Sequence, residues 1–234
     1  MLASSPCGES RASWTGPTRR TTARPPSDRL VRSPLYNRLA WSTSPDDYTR
    51  FAAAAIGSAD GPLLEVAAGS AAATAELHAL SRRPTVLLDL SRAMLERAAE
   101  RIAAASGHGD HDLPPHIRLV QDDLFAASFP APGFATVLGL GLTHLFDDLP
   151  GLVTAMRRLA APGGQLHVTG LVAETRRGRR YLKLLHRAGQ VAEPRTAEEL
   201  HDALGRPAIF HTAGCMAYAT LLAVDPGRSG RARA

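Results

Sequence analysis

The chain has 234 residues, of which 44% are hydrophobic and 5% aromatic, and it carries a formal net charge of +5. That length suits one well-buried α/β domain and falls short of two, while the apolar content excludes wholesale disorder. Seven Arg set against only Glu9 and Asp28 in residues 1–40 account for the whole excess charge, so the remainder presents no global basic field and nucleic acid is not expected as the main partner.

Residues 1–34 are rich in Ser, Thr, Arg, Pro and Gly and lack periodic hydrophobics, which predicts a disordered tail. An acid-poor, Arg-rich start also has the composition of a transit peptide, but Pro25, Pro26 and Pro34 interrupt any amphipathic helix there. No run reaches the roughly 18 apolar residues of a membrane helix, and no apolar secretory region opens the chain, so no membrane span and a cytoplasmic protein are expected. Cys7 and Cys215 lie in unlike contexts, a polar tail and the flank of a strand-like run, which argues against a disulfide.

Residues 35–56 gather Tyr36, Leu39, Trp41, Tyr48 and Phe51 and predict a helical lead-in, either a cap over an active site or an amphipathic segment packed on the sheet. Residues 57–225 then alternate strand-like and helical periods. Strands are expected at 63–67, 85–90, 117–121, 134–142 and 165–172, with helices at 71–80, from Ser91 through Met94, Leu95, Ala98 and Ile102, and at 151–160. Pro162-Gly163-Gly164 reads as a turn. Helices at 178–188 and 196–204 and two closing strands at 208–212 and 216–224 complete the domain, and 226–234 is a second disordered tail. Apolar strands separated by helices describe a doubly wound α/β sheet, whose ligands bind at the carboxyl ends of the strands.

Polar residues punctuate those strand ends three times. Glu65 precedes the small-residue turn Ala67-Ala68-Gly69-Ser70-Ala71, Asp89 ends the second strand, and Asp122-Asp123 follow the third. Such carboxylates can accept ribose hydroxyls and an adenine amine, while a turn of small residues lets backbone approach the ligand.

LLEVAAGS, VLLDLSRAMLERA, VQDDLF, FATVLGLGLTHL and LAAPGGQLHVTG, in this order and spacing, resemble the motifs of the class I S-adenosylmethionine (SAM)-dependent methyltransferases, especially the branch that includes ubiquinone and menaquinone methyltransferases. The resemblance covers about residues 50–225. It implies a Rossmann-like seven-stranded sheet, mostly parallel with one antiparallel strand, and SAM as cofactor. It further implies that Glu65 and Gly69 lie at the methionine end, that Asp89 takes the ribose hydroxyls beside Leu90, and that Met94 packs near the adenosine. Asp123 would hold the adenine amine, the Leu124 amide a ring nitrogen, and the Leu140 backbone the methionyl group. Two departures stand out: Ala67 and Ala71 occupy positions where the family's E-x-G-x-G-x-G turn has glycine, and Phe134-Ala135 replaces its usual Phe-Asp.

His144 follows the fourth strand where the family's substrate cavity opens, and is either a general base or scaffold. His108, His111 and Asp112 have metal-like spacing in a Gly-containing loop without an evident fourth ligand, so no metal is expected. The reading is a methyltransferase acting on O, N or C of a small-molecule acceptor. Three alternatives stay open: a methyltransferase fold that no longer methylates, a nicotinamide-dependent oxidoreductase, for which only Gly69 of a G-x-G-x-x-G turn is present, and a nucleic-acid methyltransferase using the Arg-rich tail.

Overall fold

Strands that are apolar at most successive positions must be covered on both faces, and LLEV and TVLLD are buried almost throughout. The computed structural model, which describes residues 45–107, 112–130 and 133–223, places them side by side inside one sheet. In chain order the elements are α1 (Pro45–Ile56), β1 (Leu63–Val66), α2 (Ala75–Ser81), β2 (Thr85–Asp89), α3 (Arg92–Ser106), β3 (Ile117–Gln121) and β4 (Phe134–Gly139). A 3-10 turn (Thr143–Leu145) leads to α4 (Leu149–Leu159), β5 (Ala160–Leu171), α5 (Arg176–Arg187), α6 (Ala197–Ala203), β6 (Ile209–Ala213) and β7 (Met216–Leu222).

The sheet order is β3-β2-β1-β4-β5-β7-β6. β7 runs antiparallel to β5 and β6, and the other pairings are parallel. This is the expected seven-stranded Rossmann-like sheet with one antiparallel strand. The order reverses between β1 and β4, which puts the topological switch point, and with it a ligand crevice, at the carboxyl end of β1.

Three boundaries differ from the sequence expectation by more than two residues. The helix after β1 starts at Ala75 instead of 71, because Ala71 has φ +49° and residues 71–74 are occupied with turn hydrogen bonds. β4 stops at Gly139, short of 142, because Gly141 turns the chain with φ +61°. Pro162-Gly163-Gly164 lies inside β5: pairing with β4 at Phe134↔Ala160 resumes at Thr136↔Gln165 after a register shift, so the breaker is a bulge within a longer strand. Gly164 fits there because a Cβ would stand 2.9 Å from the Ala161 and Phe134 carbonyl oxygens.

α1 packs Ala55 and Ile56 against the fully buried Leu63 and Leu138, each worth about 2 kcal/mol of apolar burial. Its Phe51 ring meets His167, His211 and Tyr218 edge-on or tilted. Tyr36, Leu39 and Trp41, both tails, Cys7, His108 and His111 lie outside the described residues; Cys215 is buried and unpaired. No described helix is long and apolar enough to cross a membrane.

Candidate functional site

Backbone hydrogen bonds tie the first three strand ends together. Ala68 N–H donates to the Leu88 carbonyl at 3.1 Å and Asp122 N–H to the Asp89 carbonyl at 3.2 Å. The Asp89 carboxylate joins two elements across this edge, accepting from the Gly69 amide through Oδ2 and from the Ser91 amide through Oδ1, both at 2.8 Å. Ser91 in turn caps α3 by accepting from Met94 N–H, which seats Met94 one turn into the helix. Met94 Cε lies 4.0 Å from where a Cβ on Gly69 would sit, so the methionine hangs over the glycine turn. Leu90 is 68% exposed between Asp89 and Ser91, a large apolar side chain at a polar crevice.

The turn after β1 is left-handed at three alternate positions, Ala67 (φ +49°), Gly69 (φ +54°) and Ala71 (φ +49°). An L-residue in that region costs roughly 1 kcal/mol. The two alanines differ in surroundings. Ala71 is buried among Ala75, Leu87, Leu95, Ala98 and Ile102, so its methyl is packed, whereas the Ala67 methyl is exposed.

Glu65 is 2% exposed. Its Oε1 accepts from the Thr74 hydroxyl at 3.2 Å and its Oε2 pairs with His78 Nε2 at 2.5 Å, so the carboxylate fastens the end of the turn and α2 to β1 from inside. Its charge also reaches Tyr48 on α1. The Tyr48 phenol, hydrogen-bonded to Thr169, is pushed far above its ordinary range by desolvation first and by Glu65 second, and stays neutral. The Tyr48 hydroxyl lies 3.4 Å from the Cβ that Gly141 lacks, and Gly141 N–H donates to Thr169 Oγ1 at 2.7 Å. The lead-in therefore both packs on the sheet and carries a polar atom to the strand ends. In the sequence Tyr48 is one aromatic of a segment that either caps a site or packs on the sheet, and nothing there singles out its hydroxyl.

At the third strand end, Asp123 Oδ1 accepts from Phe125 N–H at 2.9 Å while Asp122 Oδ1 accepts from Asp123 N–H at 2.8 Å. Leu124 is buried, and its amide has no acceptor among the described residues. Leu140, just past β4, packs partly buried against the α1 cluster.

His144 stands apart from these residues, in the 3-10 turn, lining a small cleft with Thr143, Leu171, Leu182, Val191 and Arg195. Its Nδ1 accepts from Leu171 N–H at 3.3 Å, which fixes the remaining proton on Nε2. Burial lowers its pKa to about 4. The neighbouring Thr143 hydroxyl is buried without a partner among the described residues. Gly170 leaves room for that hydroxyl, which lies 1.9 Å from the Cβ that Gly170 lacks. Among the described residues no cluster of three His, Cys, Asp or Glu could hold a metal.

Residues 63–164 match the family model described as a methyltransferase domain. No curated protein matches the chain in sequence. Among solved structures, geranyl diphosphate C-methyltransferase from Streptomyces coelicolor A3(2), complexed with Mg2+, geranyl-S-thiolodiphosphate and S-adenosyl-L-homocysteine, is similar with TM-score 0.59 at 13% identity over 76% of each chain. A SAM-dependent methyltransferase from Thermotoga maritima, described as a possible histamine N-methyltransferase, gives 0.57 at 15% identity over 84% of this chain and 97% of its own. The 4+2 cyclase SpnF gives 0.53 at 19% identity over 68% of this chain and 56% of its own. At such identities the likeness is one of fold. Residues 63–164 thus match a methyltransferase domain, and the seven-stranded sheet has the Rossmann-like fold of the class I SAM-dependent methyltransferases.

Proposed function

We propose that the protein transfers a methyl group from SAM to a nucleophilic O, N or C of a small-molecule acceptor, and that SAM lies across the carboxyl ends of β1, β2 and β3. The observation that carries this reading is the Asp89 carboxylate, which is held by the Gly69 and Ser91 amides and keeps further lone pairs on both oxygens for a diol. The exposed Leu90, the Met94 side chain over the turn and the Leu124 amide beside Asp123 fit the remaining faces of an adenosine. In this assignment Asp89 holds the ribose, Asp123 the adenine amine and the Leu124 amide a ring nitrogen. Gly69, Ala67 and the Leu140 backbone approach the methionyl part, which Glu65 shapes indirectly through Tyr48 and Thr74. The five sequence motifs carry the narrower reading that the chain stands with the ubiquinone and menaquinone branch.

When bound, SAM supplies an electrophilic methyl on a sulfonium. The chain's own part is to orient it, align the acceptor and exclude water, which accounts for most of the acceleration in such a transfer. His144 is proposed as a positioning residue of the acceptor cleft. With Nδ1 occupied and the proton on Nε2, it offers a donor in place of a base.

A second reading, a methyltransferase fold without methyl transfer, is favoured by the exposed Ala67 methyl in the left-handed turn. Calorimetric titration with SAM, S-adenosylhomocysteine and NAD separates the readings. Micromolar binding of the first two and none of NAD is expected. Absence of SAM binding at millimolar concentration contradicts the proposal.

A further inference from the structure

The balance of charge outside residues 1–40 conceals one element that is not balanced. α5 reads RRGRRYLKLLHR: six of its twelve residues are Arg or Lys and none is acidic. Thr175 caps it, accepting from Gly178 N–H at 3.0 Å, and it buries Gly178 and Leu182. On a helix of 3.6 residues per turn, Arg176, Arg180, Lys183 and Arg187 fall at i, i+4, i+7 and i+11, one straight line opposite the buried face. All four are exposed, and neither they nor Arg177 has an ion-pair partner among the described residues. Arg179 alone is drawn sideways, to the Ala173 carbonyl at 3.4 Å and toward Glu199.

Folding does not call for this pattern. Cations in the first turn oppose the helix dipole, and like charges four apart repel each other. The neighbouring α6 shows the stabilising arrangement instead, with Glu198 and Glu199 in its first turn and a capping box at Thr196. The stripe therefore fits a partner that supplies negative charge. Leu184, 60% exposed, stands on the same outward side between Arg177 and Arg180. An apolar side chain set among cations suits the headgroup region of a bilayer, which offers anions and hydrocarbon together. A nucleic-acid strand calls for aromatic platforms, and the α5 aromatic, Tyr181, is on the half-buried side.

We propose that α5 is a docking surface for an anionic lipid bilayer, lying flat with Arg176, Arg180, Lys183 and Arg187 on the headgroups and Leu184 dipping between them. Leu182, on the opposite side of the same helix, lines the His144 cleft, so in the docked protein that cleft lies directly behind α5, with the helix between it and the bilayer. The inference stands independently of methyl transfer, because the surface is complete without a cofactor.

The test is co-sedimentation of the full chain with vesicles of phosphatidylcholine alone or with 30% phosphatidylglycerol. Wild type should bind only the anionic vesicles, less tightly as salt rises. At about fivefold per charge, Arg176→Gln/Arg180→Gln/Lys183→Gln/Arg187→Gln should weaken binding by more than about a hundredfold. Arg176→Lys/Arg180→Lys/Arg187→Lys should keep it. Leu184→Ser should weaken it roughly tenfold. A charge-matched control, Arg19→Gln/Arg20→Gln/Arg24→Gln/Arg29→Gln, should leave most of it. Failure of the wild type to sediment, or loss in the control with retention in the helix variant, overturns the proposal. So does binding of a single-stranded RNA oligonucleotide that depends on the stripe while both kinds of vesicle leave the chain in the supernatant.

Discussion

The two halves of the strand-end edge are built differently. At β1, β2 and β3 the polar groups are pinned by backbone: the Gly69 and Ser91 amides on Asp89, the Phe125 amide on Asp123, and Ala68 and Asp122 bridging from one strand end to the next. At β4 and β5 they are side chains turned inward, with Thr143 unpartnered, His144 held by Leu171, and cover supplied by Leu182 and residues 191–195 from beyond the sheet. A site made by backbone geometry is set by the fold and can serve the same ligand wherever the fold recurs. A cleft made by side chains from separate segments belongs to one sequence.

That contrast can be broken first at Glu65, which anchors the backbone-built half. Glu65→Ala leaves the Thr74 hydroxyl and His78 imidazole buried without their acceptor and should cost about 4 kcal/mol in chemical denaturation. A loss under about 1 kcal/mol would show that the carboxylate is not the anchor.

The side-chain half should be sensitive to acid. Burial holds the folded pKa of both His144 and His167 at about 4, whereas unfolded imidazoles protonate near 6.5. Between those values the unfolded chain binds more protons, so their contribution is complete above pH 6.5 and is lost as pH falls toward 4. A decline of about 3 kcal/mol across that window is expected, discounted for partial exposure. His144→Gln should remove about half of it, and an unchanged slope in that variant would place the titration elsewhere.

The Ala67 and Ala71 pair sharpens the comparison within one turn. Ala67→Gly relaxes a left-handed residue whose methyl is exposed and should raise stability by about 1 kcal/mol. Ala71→Gly gains a similar relaxation but gives up a packed methyl worth about 0.8 kcal/mol, and should come out near zero. Ala71→Gly should also change SAM affinity by less than about tenfold. Recovery of SAM binding only in the double variant would establish the reading without methyl transfer. The smallest effect is expected at His144, where replacement by Gln should leave turnover per folded molecule within about threefold. A loss of 10²-fold or more with SAM affinity intact would make it a catalytic base.

The same division governed what could be read in advance. The strand-end carboxylates are legible because continuous apolar runs, buried on both faces, stop where each strand stops, and Ser91 announces its helix. Left-handed φ at Ala67 and Ala71 is signalled only by the glycines that the resembled turn has there, since alanine itself gives no such signal. The bulge at Pro162-Gly163-Gly164 was missed because the residues that end a strand also permit a register shift inside one, and tertiary pairing decides between them. Tyr48 at Gly141 and the α5 stripe were hidden for different reasons. The first is a contact between residues far apart in sequence, and the second vanished in a charge total that α5 shares with acids elsewhere.

The central claim is that Asp89 grips the ribose of SAM, and calorimetric titration of Asp89→Asn tests it most directly. The amide keeps one acceptor and loses the charge-assisted hold on two hydroxyls, worth about 1.5–3 kcal/mol, so SAM and S-adenosylhomocysteine should weaken alike by roughly 10- to 150-fold. Unchanged affinity for both ligands, in a variant whose circular dichroism matches wild type, would contradict the account and put the cofactor away from the β1–β3 edge.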